Sequence, residues 1–212
     1  MATFTGHGAA SGDDATQVGG GTSAVINGTT ASIGTNNIAD NPPQIYACRI
    51  PSVTIPQGST IASTSKPQLT LASNAEFITI NCTWHGNAVD NCAIFAAAEN
   101  INTRASTTAS VACSENINRV AGTYYGYPTT GDWSGIAQEI INRAGWASGN
   151  ALGFIAKGTA ASNFAHGTVR TWDNATSSPA KLTLDYTAPV TVTPVFSDIV
   201  QPYMEPWKVV DY

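Results

Sequence analysis

The sequence predicts an all-β protein: a jelly-roll-like antiparallel β-sandwich carrying one short amphipathic α-helix and extended terminal arms. Three observations predict it. Short apolar runs are punctuated by Gly, Pro and Asn, the pattern of many brief strands joined by turns. Residues 76–84 alternate strictly, with Ile78, Ile80, Cys82 and Trp84 on one side and Phe77, Thr79, Asn81 and Thr83 on the other. Only one stretch, residues 133–144, has a helical period, so a single helix must lie on a β framework.

Residues 1–40 are dominated by Gly, Thr, Ser, Ala and Asn and read as an N-terminal arm with the first strands. The body spans 41–187. Its first convincing strand is 45–50, which Pro51 and the turn at Pro56, Gln57 and Gly58 separate from a second at 68–72. After the alternating strand, residues 91–104 read as an ordered loop and 106–113 as a Thr- and Val-containing strand suited to a half-buried sheet. Asp132 or Ser134 caps the helix, Ile136, Ile140 and Ile141 share its apolar face, Arg143 favours its C-terminal dipole and Gly145 ends it. Strands at 151–157, 168–172 and 181–186 bring the count to about eight. No internal repeat at solenoid spacing is present.

Residues 188–212 form a separate C-terminal arm, in which Pro189, Pro194, Pro202 and Pro206 alternate with aromatic residues. Proline-rich chain is pre-extended and loses less entropy on docking, so Phe196, Tyr203, Trp207 and Tyr212 are the candidate contacts to a neighbouring molecule. The alternative is one more edge strand through Val190, Val192 and Phe196.

Composition narrows the function. The 212 residues carry 11% charged side chains and a net charge of −5, with no Lys/Arg cluster of the kind that neutralises a phosphate backbone. No nucleic-acid partner is expected. The N-terminus has no basic and apolar leader, and nowhere do enough apolar residues run together to span a bilayer, so neither secretion by a signal peptide nor a membrane partner is expected. A polar, weakly charged surface suits a chain covered by neighbours or a hardy extracellular particle. Cys48, Cys82, Cys92 and Cys113 read as four buried thiols, with one disulfide or metal ligation as the alternatives.

No catalytic constellation stands out, and no cofactor is expected. The serine in the run Gly131-Asp132-Trp133-Ser134-Gly135 is one place away from a nucleophile elbow, and His7, His85 and His166 lie far apart. Asp90, Glu99, Glu115, Asp132 and Asp173 occur singly, so no glycosidase pair is visible from spacing. Asp13 and Asp14 would form a calcium site with Asp185 if the first and last strands were neighbours; the competing reading of Asp13 and Asp14 is a solvated turn. Trp84 and Trp146 read as core. Tyr124, Tyr125, Tyr127 and Trp133 cluster in sequence and are the candidate platform for stacking on a glycan.

Gln138-Glu139-Ile140-Ile141-Asn142-Arg143, then Gly145-Trp146 and Ser148-Gly149-Asn150-Ala151-Leu152, resemble a recurrent β-sandwich module of tailed-phage virion proteins and bacterial surface proteins. Residues 53–61, 100–102, 107–111 and 181–186 are also similar to it, so the resemblance covers roughly residues 11–187. The sequence departs from the pattern at Cys113, where tryptophan is common, and at Ala144, where proline is common. The resemblance implies a jelly-roll-like domain used for virion assembly or carbohydrate contact, with no catalytic residues. The expectation is a virion structural protein of a tailed bacteriophage, a capsid decoration or cement protein, with a tail or head-fibre component as a near variant. Such a protein is made in the host cytoplasm, is located on the virion and contacts capsid proteins or copies of itself as a homo-oligomer. The alternative is a carbohydrate-binding module or adhesin.

Overall fold

The computed structural model describes residues 1–35, 43–63, 66–72, 75–126, 128–129, 131–159, 165–174 and 179–190. Among them, strands form two antiparallel sheets of five and seven strands, with one short helix. The five-stranded sheet runs β1 (Ala2–His7), β12 (Lys181–Thr187), β6 (Lys66–Thr70) and β9 (Tyr124–Gly126), with β5 (Thr60–Ile61) also on β12. The seven-stranded sheet runs β11 (Ala165–Arg170), β3 (Thr30–Thr35), β4 (Gln44–Ile50), β10 (Leu152–Gly158), β7 (Ala75–Asn87) and β8 (Ser106–Arg119), with β2 (Asp14–Val18) also on β4.

The main core lies between the sheets. Leu69, Leu182 and Leu184 of the smaller sheet share one buried cluster with Ile33, Tyr46, Ile80, Cys82, Trp84 and Phe154 of the larger. Alternation along β7 puts Ile80, Cys82 and Trp84 into this cluster while Thr79, Asn81 and Thr83 stay partly exposed, as its period of two requires. β4 and β10 read as near-continuous apolar runs because both faces are covered. Their other face, Ile45, Ala47 and Ile155, packs under Phe95 and Ile101 from the 91–104 loop.

The helix α1 (Ser134–Ile141) is shorter than the expected 133–144. Neither Asp132 nor Ser134 is its N-cap: Trp133 takes that place without a side-chain cap bond, and Asp132 Oδ1, one residue further out, accepts from the Ser134 N–H at 2.8 Å. Ile136, Ile140 and Ile141 are buried as the periodicity predicts. Arg143 lies beyond the helix, and its Nε donates to Asp90 Oδ1 at 2.6 Å. Gly145 makes room for that pair: a Cβ there would sit 2.1 Å from Asp90 Oδ2.

The described part of the N-terminal stretch, residues 1–35, supplies strands to both sheets. β1 pairs along its full length with β12, from Ala2 opposite Tyr186 to His7 opposite Lys181, and β2 joins the other sheet. Its small polar residues gave little apolar signal, but the backbone ladder needs none. The C-terminal candidates Phe196, Tyr203, Trp207 and Tyr212 lie outside the described residues.

Candidate functional site

Three carboxylates that are singletons or neighbours in sequence come together where the chain leaves β1 and enters β2. A 3-10 turn over Ser11–Asp13 makes this crossing between sheets. Asp13 and Asp14 are both 2% exposed. Asp13 Oδ1 accepts from Arg49 Nη1 at 2.6 Å, and its Oδ2 accepts from the Ala9 N–H at 2.8 Å. Asp14 Oδ2 accepts from the Trp172 N–H at 2.7 Å. Ser11 Oγ donates to Asp173 Oδ1 at 2.7 Å, while Asp173 Oδ2 is buried without a hydrogen-bond partner.

Burial pushes the Asp14 carboxyl up to about 7, and the Asp173 and Asp13 charges add to the effect, against the Trp172 N–H, which lowers it. A buried carboxyl near neutrality beside a second acid is the pattern of an acid and base pair. Here, however, Asp14 is covered and Asp13 is committed to Arg49, so the group ties the β1–β2 crossing to the segment between β11 and β12. Arg49 is the signal that sequence reading missed: it is the one charged residue in the apolar run of β4. The approach of Asp173 has no local signature, because it depends on the strand order.

The expected calcium set does not assemble. β1 and β12 are neighbours, as the idea required, but Asp185 pairs with Thr3 whereas the Asp13 turn follows His7 at the opposite end of the ladder. Four residues of strand, about 13 Å, separate those register positions. Asp185 Oδ1 accepts from the Thr3 hydroxyl instead. Among the described residues, no group of three or more His, Cys, Asp or Glu is placed to hold a metal ion.

The expected aromatic platform is also divided. Trp133 is 1% exposed, and its ring meets Trp84 edge-on at 4.9 Å and Phe154 at 5.8 Å between centroids. It is core, and its face is covered. Tyr124 and Tyr125 lie half-buried on β9: Lys181 Nζ sits 4.6 Å from the Tyr124 ring centroid, the Tyr124 hydroxyl donates to Pro179 O at 3.1 Å, and the Tyr125 hydroxyl accepts from the Val120 N–H at 3.1 Å. Tyr127 lies outside the described residues. Trp84 and Trp146 are buried as expected, and Trp146 Nε1 donates to Ile55 O at 2.9 Å.

A groove of about 310 Å³ is lined by Asn87, Asn91, Glu99 and Arg104 among others. Planar polar side chains of this kind suit sugar hydroxyls, but each is already engaged. Arg104 makes a bidentate pair with Glu99 at 2.6 and 2.9 Å, donates to Ala93 O and Ile94 O at 3.0 Å, and lies over the Phe95 ring at 4.3 Å. Its hydrogen bond holds the Glu99 carboxyl below the usual range. Asn87 Nδ2 donates to Ala105 O, and Asn91 Oδ1 accepts from the Ala151 N–H, both at 2.9 Å. These bonds pin the 91–104 loop over the outer face of β4 and β10.

His7 and His85 fall on different sheets, and the His166 side chain is outside the described set. The four cysteines are buried free thiols, the first of the sequence readings. Among the described residues no helix is long and apolar enough to cross a membrane. The chain matches no protein-family model and no curated protein.

Proposed function

We propose that this chain is a virion structural protein of a tailed bacteriophage, a capsid decoration or cement protein that stabilises the particle through contacts with capsid subunits or its own copies. A tail or head-fibre position is the near variant. One observation carries the architectural reading: every described carboxylate accepts a hydrogen bond from a donor of this same chain. Besides the groups above, Glu115 accepts from Thr129 and Glu139 from the Thr108 and Ala109 N–H groups. Acids used as internal clamps in this way rigidify a scaffold. The assignment to a virion rests on the resemblance of the 138–152 segment and on the low charge.

The sandwich is of jelly-roll type on this reading. Supporting it, the chain changes sheets after β1, β4, β6, β8, β9 and β11, the repeated crossing by which such sandwiches are wound. The test compares particles assembled with and without the chain. Particles lacking it should release their genome at a lower temperature, and purified chain added back should restore the resistance. A chain that fails to bind the particle, or binds without changing its heat resistance, overturns the reading. A chain ending at residue 188 tests the arm: reduced occupancy is expected, and full occupancy rules out an arm mechanism.

A further inference from the structure

The longest hairpin, β7 with β8, sets two cysteines face to face: Cys82 is the direct cross-strand partner of Cys113. Both belong to the main core and are 1% and 3% exposed. Directly opposed residues of antiparallel strands have Cα atoms about 4.5 or 5.5 Å apart, according to the type of pair. A disulfide accepts Cα separations of roughly 4.4–6.8 Å, so either type falls within range without a change of register. The other two thiols have no such relationship. Cys48 stands opposite Phe154 and Asp14, and Cys92 is in the 91–104 loop with its Sγ donating to Asn87 Oδ1 at 3.4 Å.

β8 is an edge strand of the seven-stranded sheet, held in it by the β7 ladder alone, so local opening of that edge loosens the packing around both sulfurs. We propose that Cys82 and Cys113 are a dithiol–disulfide couple, reduced as in this structure and closed when the chain meets an oxidising solution containing a low-molecular-weight disulfide. The thiolate of one cysteine attacks a sulfur of oxidised glutathione, forming a mixed disulfide and releasing one glutathione thiolate. The second cysteine then attacks the protein sulfur of that mixed disulfide and releases the other glutathione. The two cysteine protons end on the two reduced glutathiones, so one external disulfide is reduced for each internal one formed. In the closed sheet the hydrogen bond with Cys113, followed by burial, holds the Cys82 thiol above its ordinary range, so exchange proceeds through the opened edge. Once formed, the bond closes a loop over residues 83–112 and ties the edge strand to the rest of the sheet. This proposal does not depend on the virion reading.

The full chain is incubated with oxidised glutathione and, in parallel, refolded from denaturant in a glutathione redox buffer, then digested without reduction and mapped by mass spectrometry. The expected product has lost two hydrogens, joins the Cys82 and Cys113 peptides, leaves Cys48 and Cys92 alkylatable after denaturation, and melts several degrees higher until a dithiol reductant reverses the gain. The Cys113→Ser variant should form no internal link and retain glutathione on Cys82 after refolding. Four alkylatable thiols after both treatments of the wild type, or a link that includes Cys48 or Cys92, overturns the proposal.

Discussion

Gln138 and Glu139 are adjacent on α1 and hold opposite sheets. Gln138 Oε1 accepts from the Ile61 N–H at 2.9 Å and its Nε2 donates to Ser59 O at 2.7 Å, on the outer side of β5. Glu139 accepts from the Thr108 and Ala109 N–H groups at 3.0 and 2.9 Å, closing part of the free edge of β8. The helix therefore bridges the two layers of the sandwich, and it covers backbone donors that would otherwise be open to another chain.

Removing either attachment has a separable cost. Glu139→Ala should destabilise the fold by about 1–2 kcal/mol, since two bonds to a charged acceptor are lost but the freed donors can reach water. Gln138→Ala should cost about 1 kcal/mol by the same reasoning. Because both anchor the same short helix, the double variant should depart from the sum by about 0.5 kcal/mol or more in urea unfolding. Light scattering on gentle heating should rise more for Glu139→Ala than for Gln138→Ala, because the edge uncovered belongs to the 14-residue β8 rather than to the two-residue β5.

The buried position of Trp133 predicts a substitution pattern opposite to that of a sugar platform. Trp133→Ala should destabilise by roughly 3–5 kcal/mol, the usual cost of emptying a large aromatic site. Trp133→Phe should cost distinctly less, because the indole Nε1 has no hydrogen-bond partner to lose and a ring still meets Trp84 and Phe154. Thermal melts of the two variants decide this. Equal stability of Trp133→Ala and wild type would show that the ring is not core.

Gly86 is where the helix meets β7. A Cβ on it would lie 2.7 Å from Ile140 Cδ1 and 2.9 Å from both Ile136 Cγ2 and Thr107 Cγ2. Gly86→Ala should therefore lower stability by about 1–3 kcal/mol through overpacking. Shortening the facing side chain with Ile140→Val in the same chain should recover part of the loss. A chemical denaturation series of the three variants measures it, and no recovery would place the strain elsewhere.

These residues also show what the sequence carries and what it does not. β7 was legible because one of its faces is buried, so its period of two survives in Ile80, Cys82 and Trp84. The helix was legible for the same reason at a different period. β1 was not, since in Ala2–His7 only Phe4 packs on the core and the strand is held by its ladder to β12. Trp133 is near Tyr124 and Tyr125 in sequence but not in environment, because it is buried in the core just before α1 while they lie half-buried on β9. The meeting of Asp14, Asp173 and Arg49 depends on strand order, which no local spacing encodes.

Asp14 gives stability a pH dependence of its own. Its carboxyl titrates near 7 in the folded chain because of burial first and the neighbouring acids next, against 3.8 as the ordinary value. Between those limits the folded protein holds a proton that the unfolded chain has released, so stability falls as pH rises. This contribution is full below the unfolded value and gone once pH passes the folded one, with a slope of at most about 1.4 kcal/mol per pH unit between. Glu99 works in the opposite sense, but its folded value lies below 4.5, so its loss on acidification belongs to a lower range. Asp14→Asn keeps an acceptor for the Trp172 N–H and removes the proton. Urea unfolding at pH 5, 6, 7 and 8 should show wild type losing stability toward pH 8 relative to Asp14→Asn, whereas parallel curves across that range would mean that Asp14 is ionised throughout and that Arg49 or water compensates its charge.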